Sequence, residues 1–168
     1  MLLQIASAAR SAIAHHSVVS ASSSGPPRSG QEESSGRPET WAKLGPLPDP
    51  LGTIYRELEA STNRARHTGV DKSRMVVDPG LGFGKRKEQN SAILGRLGKL
   101  AGLDLPIMVG PSRKSFLTQT DPELTKFATA AAVTASVLAG AHMVRVHDVR
   151  EMRAATDMAD EILRNTEE

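Results

Sequence analysis

Three short apolar runs, at residues 74–78, 105–110 and 142–146, each end in glycine or charged residues and lead into a helical pattern. Runs of this length bounded by turn residues predict buried strands. Between them the apolar positions take helical spacing. Ile54, Leu58 and Ala65 mark a helix to about His67, ended by Gly69. The prolines at 46, 48 and 50 predict an irregular, extended segment before it. Ile93, Leu94, Leu97 and Leu100 form an amphipathic stripe that stops at Gly102 and Asp104. A third helix runs from about Pro122, with Phe127, Ala128, Ala131, Ala135 and Leu138 as its packing face and Gly140 as its C-cap. The last helix presents Met152, Ala155, Ala159 and Ile162 on one face. Three strands alternating with four helices predict parallel βα units, in which chemistry sits at the C-terminal strand ends.

The first part of the chain reads differently. Residues 1–35 hold a weak apolar start and then Ser22-Ser23-Ser24-Gly25-Pro26-Pro27, a composition that cannot offset its ordering entropy by burial. Two segments are therefore expected: 1–35, disordered or unrelated to the fold, and 36–168, the folded part. Residues 1–31 contain no acidic residue but Arg10 and several serines, which is also the composition of a mitochondrial transit peptide. A chain of 168 residues buries one core, whereas a complete (β/α)8 barrel takes about 250. The formal net charge is only +2, and the pI near 9.2 hints at anionic ligands. With one Trp, one Tyr and three Phe, stacking platforms for bases are lacking, so no nucleic acid is expected. The absence of Cys excludes disulfides and thiolate chemistry. No apolar run approaches the roughly 18 residues of a membrane span.

The turns after the strands carry the candidate chemistry. Asp78 precedes Pro79, whose ring holds it extended. Its two oxygens can receive paired N–H donors from a guanine-like ring; the alternative is an aspartate that only caps the next turn. The string GLGFGK at 80–85 matches neither the dinucleotide nor the P-loop spacing. Its glycines permit left-handed backbone and close approach to a flat ligand. Lys114, after Val109 and Gly110, can aim three donors into a mouth at the strand ends. Arg113 faces outward or pairs with a carboxylate. Arg145 and His147 are two apart on a strand and share a face, which suits an anion; the alternative is a core couple with Asp148.

DPGLGFGK at 78–85, SRKSFL at 112–117 and RVHDV at 145–149, in this order and spacing, resemble dihydropteroate synthase of the folate pathway. Gly36 to Trp41 resembles the loop after that family's fifth strand, and the likeness extends to about Leu163. The resemblance implies an α/β fold, the C-terminal strands and helices of a partial (β/α)8 TIM barrel, preceded by a disordered segment. It implies a transferase that joins 6-hydroxymethyl-7,8-dihydropterin pyrophosphate to p-aminobenzoate, giving dihydropteroate and pyrophosphate. Asp78 and Lys114 would bind the pterin, and Phe83 and Ser112 the p-aminobenzoate. Arg145 and His147 would hold the pyrophosphate, and Lys85 would lie near the rim. Arg145, His147 and Lys114 would be the catalytic set. Mg²⁺ is the implied cofactor, and its family ligand has no counterpart here. The resemblance also implies a homodimer through residues 121–165 and a cytoplasmic location, with mitochondria the alternative if 1–31 is a transit peptide. The reading thus expects a truncated enzyme. The rival classes are an inactive binding or interaction fragment and another pterin-binding barrel, such as a folate-dependent methyltransferase.

Overall fold

The computed structural model of the chain describes residues 3–6, 17–20 and 48–166. Five strands and four α-helices follow in the order β1 (Leu3–Ala6), β2 (Ser17–Ser20), α1 (Pro50–His67), β3 (Met75–Asp78), α2 (Lys87–Leu94), β4 (Met108–Val109), α3 (Pro122–Leu138), β5 (Met143–Val146) and α4 (Val149–Arg164). Short 3-10 turns lie at Lys72–Arg74, Leu97–Leu103 and Ser115–Leu117.

The three strands expected from the apolar runs form, and all three are parallel. β4 pairs with β5, Met108 opposite Met143 and Val109 opposite Val144. A single parallel bridge, Val77 to Ile107, joins β3 to β4. The side chains of β3 and β4 are buried on both faces, as parallel strands covered by helices require, and on β5 Arg145 alone is half-buried. β2 adds to β3 in parallel, Ser17 opposite Met75, and β1 adds to β5 in antiparallel, Leu3 opposite Val146. The strand order is therefore β2-β3-β4-β5-β1. Two short pieces of residues 1–35 are thus strands paired with the sheet, not the disordered segment expected there. The expected Ser/Gly/Pro-rich stretch at 22–27 and the loop at 36–41 lie outside the described residues, as does most of the transit-peptide composition. The class is α/β. The described strands make an open array whose β1 runs against its neighbour, where a barrel wall continues in parallel.

The helices show where sequence pattern and packing part. α1 begins at Pro50, earlier than its apolar spacing suggests. Asp49 caps it, Oδ1 accepting the Gly52 N–H at 3.0 Å, and a proline fits the first helical position because that N–H has no partner anyway. α1 buries Leu51, Ile54 and Leu58, each fully buried side chain contributing about 1.5–3 kcal/mol. The stripe at 93–100 is buried as expected but breaks at Gly95 into α2 and a 3-10 turn. α3 turns a different face inward. Thr129, Ala132, Val133, Ser136 and Val137 are buried, while Phe127 is 63% exposed and Ala131, Ala135 and Leu138 also lie outside. Thr129 and Ser136 tolerate burial because each hydroxyl donates to the carbonyl four residues back, at 2.8 and 2.6 Å. Gly140 has φ 104° after the helix, and Ala141 N–H returns to Ser136 O at 2.9 Å, closing the C-terminus as glycine allows. On α4, Met152 and Ala159 are buried with Thr156 and Asp160, and Ile162 is exposed.

Candidate active site

Parallel alignment of β3, β4 and β5 brings the three turns to one edge. Asp78, the last residue of β3, is 4% exposed. Its Oδ1 accepts the Gly80 N–H at 2.8 Å, and Oδ2 lies 3.9 Å from Nη2 of Arg145. The aspartate therefore caps its turn with one oxygen and meets a cation with the other. Burial pushes its pKa up, against the lowering pull of the Gly80 N–H, Arg145, Lys114 and Lys85.

The turn after β3 alternates left-handed glycines, with φ of 67° at Gly80, 78° at Gly82 and 62° at Gly84. A side chain at Gly82 would also strike Lys114, whose Cδ would lie 2.8 Å from the added carbon. This close approach seats the Lys114 ammonium 3.9 Å from the centre of the Phe83 ring, a cation–π pair. Burial and then Arg145 lower the Lys114 pKa. Lys85 folds back onto the turn rather than extending at the rim. Its Nζ donates to Gly80 O at 2.8 Å and Phe83 O at 3.1 Å, and burial lowers its pKa to about 8.

Asn90 is a part of the site that the motifs did not bring out. It is 1% exposed on α2. Oδ1 accepts the Gly82 N–H at 2.8 Å, and Nδ2 donates to Lys85 O at 3.1 Å and Arg86 O at 2.9 Å. A sequence signal exists: Asn90 falls three, four and seven residues before Ile93, Leu94 and Leu97, a polar residue on the apolar stripe. Glu57 on α1 has no signal in the sequence pattern; burial raises its pKa while Lys85 pulls it down.

The β4 and β5 ends supply the remaining groups. Gly110 leaves room for Arg145, since an added carbon there would lie 3.3 Å from Nε and Nη2. Ser112 is buried, and its Oγ sits 2.9 Å from Nδ1 of His147. Arg113 adopts φ 59° and takes the pairing option, its Nη2 3.4 Å from Asp148 Oδ1. His147 therefore pairs with Ser112 and not with Asp148. Burial first, and then Arg113, lower its pKa. All six expected site residues, Asp78, Phe83, Ser112, Lys114, Arg145 and His147, thus meet at this edge. Around one buried carboxylate stand two lysines and an arginine, an arrangement suited to a polar ring on the acid and an anion on the bases. Among the described residues no three His, Asp or Glu side chains converge into a set that could hold a metal ion.

A profile of the family described as pterin binding enzyme matches residues 7–147. The dihydropteroate synthase of Synechocystis is 39% identical over 133 residues, covering 77% of this chain and 46% of that protein. That of Escherichia coli K12 is 33% identical over 119 residues, covering 69% and 42%. Among solved structures, Yersinia pestis dihydropteroate synthase with a sulfonamide drug complex aligns with a TM-score of 0.72 at 30% identity, covering 78% of this chain and 48% of that one. Xanthomonas albilineans dihydropteroate synthase in complex with 7,8-dihydropteroate aligns at 0.66 and 30%, covering 70% and 48%. The chain spans a little under half the length of these four relatives.

Proposed function

Because this chain belongs to the pterin-binding enzyme family, we propose that its site serves the dihydropteroate synthase reaction. The observation behind this reading is the buried Asp78 carboxylate beside Arg145 and within the field of Lys114. In the reaction the amine of p-aminobenzoate attacks the pterin methylene carbon. The new C–N bond forms, the C–O bond to pyrophosphate breaks, and the nitrogen loses a proton.

Each residue has a part that its surroundings support. Asp78 accepts N–H donors of the pterin, and its charge opposite the ring favours positive charge on the departing pterin-methyl group. Lys114 donates to the pterin carbonyl region while Phe83 backs its ammonium and borders the p-aminobenzoate. Arg145 and His147 take up the charge that grows on the leaving pyrophosphate. Orientation and charge stabilisation are the main requirements of this chemistry. The relatives were also solved with 7,8-dihydropteroate and with 4-aminobenzoic acid, which is the pairing of ligands this reading needs. The reading further places the protein in the cytoplasm; no helix among the described residues is long and apolar enough to cross a membrane.

We propose also that a second copy covers the outer faces of α3 and α4. Leu124, Phe127 and Leu138 on the first, and Met158 and Ile162 on the second, are exposed on two helices that pack together. Large apolar side chains grouped on neighbouring helices suit an interface between copies.

The test is formation of dihydropteroate from labelled p-aminobenzoate and the dihydropterin pyrophosphate with Mg²⁺, comparing the chain with Arg145→Ala. Product that falls at least 100-fold in the variant supports the reading, since the arginine is asked for several kcal/mol of transition-state charge. Equal product from both would reject the role given to Arg145, and no product from the folded chain would favour a binding fragment.

A further inference from the structure

Ser112 is 5% exposed and lies between the end of β4 and Lys114. Its Oγ accepts the backbone N–H of His147 at 3.3 Å and stands 2.9 Å from Nδ1 of the same residue. A buried hydroxyl held twice by one histidine is poorly placed to contact a substrate. We infer that Ser112 is a positioning residue, which fixes the His147 ring so that Nε2 always carries a hydrogen for the anion. The inference rests on the proposed pyrophosphate role of His147 and replaces the p-aminobenzoate contact expected for Ser112.

A serine hydroxyl has one hydrogen and two lone pairs. One lone pair takes the His147 backbone N–H. Among the described residues the hydroxyl hydrogen meets no acceptor but Nδ1, so against a neutral ring it donates there and the ring hydrogen resides on Nε2. Against the imidazolium, the second lone pair accepts Nδ1–H, and Nε2 again bears hydrogen. Without Ser112 the neutral ring is free to place its hydrogen on Nδ1, leaving a lone pair on Nε2 that repels an anion. The neutral form matters here, because burial and the cations Arg113 and Arg145 lower the ring's pKa, with Asp148 opposing them. Among the described residues Nε2 takes no hydrogen bond of its own.

The test is ¹⁵N NMR of the histidine rings in the full chain near pH 7.5, with the His147 signals identified by their loss in His147→Gln. The Nε2–H tautomer is expected in the wild type, a shift toward Nδ1–H in Ser112→Ala, and restoration in Ser112→Thr. Nδ1–H in the wild type, or an unchanged tautomer in Ser112→Ala, would overturn the inference. Titration with inorganic pyrophosphate, and separately with p-aminobenzoate, then divides the two roles. About tenfold weaker pyrophosphate binding in Ser112→Ala, with p-aminobenzoate unchanged, is expected. The reverse pattern overturns the inference. The tautomer is read without ligand, so a wild type that holds Nε2–H but binds no pyrophosphate would count against the proposed function alone.

Discussion

Asp78 carries its charge where burial makes charge costly, and that cost gives a prediction. Its pKa is raised in the fold, so the native state keeps the proton to higher pH than the unfolded chain does. Stability from this group is full below the ordinary aspartate value of about 3.9 and is lost as pH rises through the raised one. Asp78→Asn removes the titration and keeps an oxygen for the Gly80 N–H. The melting temperature of the variant should therefore gain on the wild type as pH rises from about 3.5 to 7. A gap that shrinks over that range would show the Arg145 ion pair outweighing burial. The residue identities at this edge were legible in the sequence, because Asp78, Lys114, Arg145 and His147 stand at strand ends that spacing predicts. Side-chain partners were not. Whether Arg113 or His147 meets Asp148, and what Ser112 touches, depends on how two loops from different strands approach each other, which no local pattern encodes.

At the scale of elements, the glycine turn is held by the helix that follows it. Asn90 reaches back from α2 to Gly82, Lys85 and Arg86, and Lys85 ties Gly80 and Phe83. Asn90→Ala leaves the part-buried Gly82 N–H and the Lys85 carbonyl without this partner, while Arg86 O keeps the backbone N–H of residue 90; the cost is about 1–3 kcal/mol for such groups. A loss of stability in that range by urea unfolding, with weaker pterin binding, is the expected outcome. An unchanged urea midpoint would mean that the turn holds its shape unaided. The sequence showed the glycines but not their anchor, because the anchor is a single polar residue on an otherwise apolar stripe. The inward face of α3 was misread for a related reason. That helix is apolar nearly all round, so period alone does not choose a face, and small hydroxyl residues won the inside by bonding their own helix.

At the scale of the whole molecule, large apolar side chains stay exposed on the neighbouring helices α3 and α4. If a second copy covers α3 and α4, sedimentation of the wild type gives twice the chain mass, and Phe127→Glu reduces it to one. A variant that stays dimeric would exclude this face. The parallel order of β3, β4 and β5 was legible because short apolar runs alternate with helical ones. β1 and β2 were not, since each is four residues long in an alanine-rich stretch with no glycine or proline to bound it, and its pairing is set by the sheet it joins. On the proposed function, the edge formed by these strands is a pterin site. Calorimetric titration of the 168-residue chain with the dihydropterin pyrophosphate, beside Asp78→Asn, tests it most directly. Binding that weakens roughly 10- to 100-fold in the variant is predicted, the loss of one charged hydrogen bond at about 1.5–3 kcal/mol. Equal affinity in both folded proteins, or none in either, would contradict it.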